Sequence, residues 1–242
     1  MSKLIMQTVT TIGLCFGGVG TVHAELPKDV STAYQTYETA LNAKDFDAAQ
    51  TAAYTAWQNA EMNLGDSKIT GDLAQNFADI SAFNKAPFSK TWKAYKRAIE
   101  LAEFYPAEQA FNVRLDRTVS LSTISLKNDR LDLMRRDLKK LTRDAERADL
   151  PPSTVLAEAY FLQAASLNSS RSGKKMQTLG LKAVEIYEAA DDGIASPFRG
   201  IARGLAALSP SDNYRLNSRV KYSGDLSACC TYTIGSGMNK TP

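Results

Sequence analysis

Apolar residues recur at steps of three and four from Val30 to Leu208, and the strict alternation of a half-buried strand is absent. The pattern predicts an all-α chain. Breakers separate the helical runs at Gly65-Asp66, Ala86-Pro87, Tyr105-Pro106, Lys127-Asn128, Pro151-Pro152, Ser169 to Gly173, Asp192-Gly193, Ser196-Pro197 and Ser209-Pro210. Pro152 followed by Ser153 and Thr154 reads as a helix start. Asp45 and Asp47 fall in a turn, where carboxylates cap the next helix.

The runs repeat. Aligning the segments around residues 43–49, 85–91, 128–134 and 171–176 superposes Phe46, Phe88, Leu131 and Gly173, at spacings of 42, 43 and 42. Ten residues on, Ala56, Ala98, Leu141 and Ala183 follow with the same spacings. A steady period in this range predicts stacked helix pairs. The expected architecture is an α-α superhelix of about four helix pairs and a closing helix.

Residues 44–57 carry Phe46, Ala49, Ala53 and Ala56 where the tetratricopeptide-repeat family has its turn and second helix. Tyr95, Ala98, Ile99, Glu100 and Leu101 fit the end of that helix in the next unit. The chain thus resembles that family over roughly residues 30–208, with a period longer than the family's usual 34. A fainter resemblance is one of arrangement. An export signal, Leu-Pro-Lys-Asp-Val at 26–30, repeats of this length and Ala-Asp-Asp-Gly-Ile at 190–194 look like the N-terminal region of exported TonB-family proteins. The pattern after Pro210 does not look like a TonB domain, so no TonB chemistry is carried onto any residue.

The repeat resemblance implies that first helices line a concave surface. The facing positions are then Tyr34, Asn76, Val119 and Phe161, followed one turn on by Glu38, Ile80, Thr123 and Ala165. The next row is Asn42, Asn84, Lys127 and Ser169. These rows mix apolar and amide side chains, which suits an extended peptide or a helix. Trp57 and Trp92, on second helices beside small residues, are expected to fill the gaps between pairs.

One stripe of charge stands apart. Arg136, Lys140, Arg143 and Arg147 are spaced 4, 3 and 4, opposite an apolar face of Leu131, Met134, Leu138, Leu141 and Ala145. Two readings stand. The stripe docks an acidic partner or anionic headgroups, or it is a solvated face whose cations pair locally with Asp137, Asp144 and Glu146.

Composition then narrows the function. Lys3, an apolar run from Leu4 to Val22 and the small-x-small ending Val22-His23-Ala24 read as a signal peptide over residues 1–24. The run holds four Thr and four Gly, which suits cleavage better than membrane anchoring. Removal at Ala24 takes with it His23, the chain's only histidine. Imidazole bases, Ser-His-Asp triads and most transition-metal sites are thereby excluded from the expected mature chain. The net charge of +3 is too near zero to imply a nucleic-acid partner. Asp191-Asp192-Gly193 lacks the further ligands of a calcium loop. Gly200 and Gly204, four apart, suggest close helix packing.

Residues 25–208 are thus expected to form the helical repeat domain, and 209–242 a mostly disordered tail holding the adjacent Cys229 and Cys230. The expected role is a periplasmic or secreted scaffold that binds a protein or peptide partner, without cofactor, metal or enzymatic activity. An accessory or truncated component of TonB-type envelope energy transduction and uptake is the alternative. N-terminal sequencing of the chain recovered from an exporting host should begin at Glu25; a start at Met1 would refute the export signal.

Overall fold

The computed structural model describes residues 26–167 and 169–190, together with 200, 202 and 203. The expected signal segment, the tail with Cys229 and Cys230, the Asp191-Asp192-Gly193 turn, Gly204 and the Ser169 side chain lie outside the described residues. The fold is all-α. Its helices are α1 (Lys28–Asn42), α2 (Phe46–Asn63), α3 (Lys68–Phe83), α4 (Phe88–Glu100), α5 (Ala107–Lys127), α6 (Arg135–Arg147), α7 (Thr154–Ala165) and α8 (Ser169–Ala189). Short 3-10 turns at Leu101–Phe104 and Leu131–Met134 follow α4 and precede α6.

Local chemistry sets these boundaries. The Asp45 carboxylate accepts from the Ala48 amide at 3.1 Å, the Ser67 hydroxyl from Thr70 at 3.1 Å and the Ser153 hydroxyl from Leu156 at 3.2 Å. Each satisfies a backbone donor that the first helical turn leaves without a partner. Prolines 27, 87 and 106 occupy the position before α1, α4 and α5, where the missing amide hydrogen costs nothing.

One turn recurs inside three successive pairs. Lys44, Lys85 and Asp129 adopt left-handed φ angles of 59°, 54° and 55°. The residue after each donates its amide to a carbonyl five residues back: Asp45 to Ala40 at 2.9 Å, Ala86 to Ser81 at 2.8 Å and Arg130 to Ser125 at 2.8 Å. The left-handed residue itself donates to Leu41, Ala82 and Leu126 respectively. This paired bonding closes a helix C-terminus by absorbing its free carbonyls. None of the three is glycine, so each bears the cost of a left-handed backbone.

Helices pack chiefly on their neighbours in sequence: α1 on α2, α2 on α3, α3 on α4, α4 on α5, α6 on α7 and α7 on α8. In addition α5 packs on α7. The row of Ala56, Ala98, Leu141 and Ala183 is buried throughout, at 0%, 0%, 4% and 0% exposure. Trp57 stacks on Phe77 at 5.5 Å, and Phe46 meets Phe83 at 4.5 Å, so aromatics fill the space beside the alanines. Gly71 marks the closest approach. A Cβ there would lie 2.9 Å from the Leu101 Cβ and 3.1 Å from the Arg117 guanidinium.

Two ionic ties join successive pairs. Arg97 on α4 grips Glu61 on α2 through Nε and Nη2, both at 2.8 Å, and reaches Asp66 at 2.5 Å. The Arg97 contact and the Trp57 indole N–H hold the Glu61 carboxyl below its ordinary value. Arg117 on α5, only 4% exposed, donates to the Ala98 carbonyl at 2.6 Å, the Asp72 carboxylate at 2.6 Å and the Tyr105 hydroxyl at 3.2 Å. Tyr105 in turn donates to Asp72.

Lengthening the buried alanines tests the packing. Ala56→Leu and Ala98→Leu should each cost about 1–3 kcal/mol through overpacking, read as a fall in thermal denaturation midpoint. Unchanged midpoints for both would contradict the close helix approach.

Candidate functional site

The first helices of three pairs share a polar face. On α1 it holds Tyr34, half-buried, and Glu38, exposed. On α3 the outward residues are Asp72, Asn76 and Asp79, and on α5 they are Asp116, Thr123 and Lys127. Steps of three, four and seven put each set on one side of its helix. Tyr34 and Tyr37 stand 5.9 Å apart. Burial pushes both phenols up to about 12, helped at Tyr34 by Glu38 and at Tyr37 by Asp79.

Asp79 is the centre of this face. Its carboxylate accepts from the Tyr95 hydroxyl at 2.5 Å and from the Gln75 amide at 3.0 and 3.2 Å. The Asp79 side chain is exposed to solvent. Even so, surrounding protein removes enough water to push its carboxyl up to about 6, with Asp116 adding to the rise and Tyr95 and Gln75 opposing it. Asp116 is raised for the same reason, against the pull of Arg117. The Gln75 carbonyl oxygen is buried and accepts no hydrogen bond.

The expected rows are partly rearranged. Tyr34, Glu38, Asn42, Asn76, Thr123 and Lys127 are half-buried or exposed. Asn84 is used internally: its amide donates to the Phe46 carbonyl at 2.8 Å and to Gln50 at 3.0 Å, tying the end of α3 to the start of α2. Ile80 and Val119 are each 5% exposed, and Phe161 is 1% exposed. These three belong to the core rather than to a surface. The reason for Phe161 is the apolar character of α7 on all sides, which α5, α6 and α8 cover. On α3 the outward stripe runs through Asp79, one position before Ile80. Asp72, Asp79 and Asp116 were legible only as single charges on helices, because their convergence depends on how α3 and α5 are placed.

The basic stripe is as expected on its own helix. Arg136, Lys140, Arg143 and Arg147 are exposed, while Met134, Leu138, Leu141 and Ala145 are 4% exposed or less. The local pairing that would neutralise it is largely absent, because the α6 carboxylates turn to other helices. Asp137 pairs with Lys96 of α4 at 3.2 Å, and Glu146 with Lys182 of α8 at 2.8 Å. Asp144 lies 3.9 Å from Arg114 of α5 and 3.9 Å from Arg143.

Between α2 and α4 an open depression is lined by Trp57, Glu61, Trp92, Lys93, Lys96 and Arg97. Trp57 is 5% exposed and belongs to the core, while Trp92 leans on Phe88 at 5.5 Å. No cluster of three or more metal-ligating side chains occurs among the described residues, and no described helix is long and apolar enough to cross a membrane. Comparison with protein-family models and with curated proteins finds no match for the chain.

The Asp79 shift is upward, so the folded state holds that proton more tightly than the unfolded chain. Its contribution to stability is therefore present below the ordinary value of 3.8 and is lost as pH rises to about 6. The carboxyl carbon of Asp79 should titrate by NMR with a midpoint near 6, and Asp79→Asn should remove that titration. An ordinary midpoint would show that the surrounding protein does not desolvate Asp79.

Proposed function

We propose that this chain is an exported helical-repeat scaffold that binds an extended protein or peptide segment along the face of α1, α3 and α5. The observation that carries the reading is the polar stripe of the first helices: Tyr34 and Glu38 on α1, Asn76 and Asp79 on α3, and Asp116, Thr123 and Lys127 on α5, all half-buried or exposed. Tyrosines at one side and carboxylates and amides along it supply apolar area together with hydrogen-bond acceptors.

The stacked pairs support the same reading. One buried row through Ala56, Ala98, Leu141 and Ala183, at the spacing of the sequence repeat, supports a superhelix of repeats. In such an array the first helices form a continuous curved groove. Tyr34, Glu38, Asn76 and Thr123 are the contacts this groove offers a partner, with Asn42 and Lys127 at one rim.

Site-specific photocrosslinking in the producing cell tests the face. A photoreactive residue at Asn76 or Thr123 should give a discrete protein adduct, while one at the exposed Thr55 on α2 should not. Tyr34→Ala combined with Glu38→Gln should lower adduct yield at Asn76 by about tenfold, the equivalent of about 1.4 kcal/mol. Equal adducts from both faces, or none from the first helices, would refute the groove.

A further inference from the structure

The second helices present the opposite charge. The three carboxylates of α6 are drawn to α4, α5 and α8 by Lys96, Arg114 and Lys182. The first and last of these bridges also set α4 and α8 on either side of α6. Arg136, Lys139, Lys140 and Arg147 are exposed and form no ion pair among the described residues. Lys93 on α4 and Lys175 on α8 are likewise exposed and unpaired among the described residues. Lys93 lies one turn before Lys96, and Lys175 two turns before Lys182, so both share the helix faces that meet α6. Like charges three and four residues apart repel, so the fold holds together cations that its own carboxylates leave uncompensated.

We propose that the face of α4, α6 and α8 docks onto an anionic lipid surface. Its dimensions select this partner over an acidic polypeptide. Arg136 to Arg147 spans about 16 Å along α6, and salt bridges tie α4 and α8 to its two sides. The cations therefore spread in two directions rather than along one line. The depression lined by Asp132, Leu133, Arg135, Arg136, Asp137 and Lys139 is open. A planar array of phosphate headgroups meets such a surface with every cation at once. Leu133, 41% exposed amid these charges, adds an apolar side chain at headgroup depth. The long lysine and arginine stems let their charges reach the headgroups while the helix stays outside the hydrocarbon. This surface lies on other helices than the first-helix face.

Co-sedimentation of the full chain with vesicles provides the test. Vesicles of equal parts phosphatidylglycerol and phosphatidylcholine should bind at least about tenfold more strongly than pure phosphatidylcholine. The preference should shrink as salt shortens the screening length toward about 8 Å. Replacing Arg136, Lys139, Lys140 and Arg143 together by Gln should remove most of the preference with far-UV circular dichroism unchanged. If that variant does not fold, Lys139→Gln with Lys140→Gln alone should lower the preference several-fold. Lys28→Gln with Lys68→Gln, on first helices, should leave it in place. Equal binding to both vesicles, or a preference retained in the folded α6 variants, would overturn the proposal. Capture of polyglutamate without capture of anionic vesicles would overturn it in favour of an acidic polypeptide.

Discussion

Eight alanines on α2, α3 and α4 set the distances on which the N-terminal half depends. Ala49, Ala53, Ala56, Ala60, Ala74, Ala78, Ala94 and Ala98 are all 1% exposed or less. A methyl at a helix crossing lets two backbones approach more closely than a leucine would, and the approach brings the flanking aromatic rings into contact. Trp57 reaches Phe77, and Phe46 reaches Phe83, only because alanines lie beside them. The core is therefore built from many small contacts and a few large ones, with dispersion gained at close-packed density.

That closeness has an electrostatic consequence. Gly71 has no room for a Cβ because Leu101 and the Arg117 guanidinium press against it. Arg117 is nearly enclosed, and a buried cation is tolerated only when its donors are satisfied. The Ala98 carbonyl, Asp72 and Tyr105 meet that demand, and they come from α4, α3 and the bend after the Leu101–Phe104 turn. The same guanidinium lies 5.2 Å from the Tyr105 ring centre. One charge thereby fixes how α3, α4 and α5 sit together, and with them the spacing of Asp72, Asp79 and Asp116 along the first-helix face.

The array distributes its cations unevenly. Asp79 and Asp116 stand on the first helices, where desolvation raises their pKa. Unpaired cations gather on α4, α6 and α8. A scaffold that holds a peptide on one side and a lipid surface on the other would present its cargo away from the membrane.

The sequence by itself determined the helical class and most helix boundaries, except that the breaker expected at Ser169 to Gly173 falls inside α8. Breakers, caps and a 3.6-residue period act over a few neighbouring residues, so they are readable without any fold. The exposed stripe on α6 was legible for the same reason, since one helix carries both its faces. What only the tertiary structure decided is which charges meet. Asp137 and Glu146 look like local partners of the α6 cations, yet Lys96 and Lys182 from adjacent helices claim them. Phe161 reads as a groove residue until α5, α6 and α8 close around α7. Asp79 lies one position from the expected Ile80, and a shift of one residue turns a side chain by about 100° around a helix axis. Periodicity locates a helix along the chain, but only packing fixes its rotation, and the rotation decides what the surface displays.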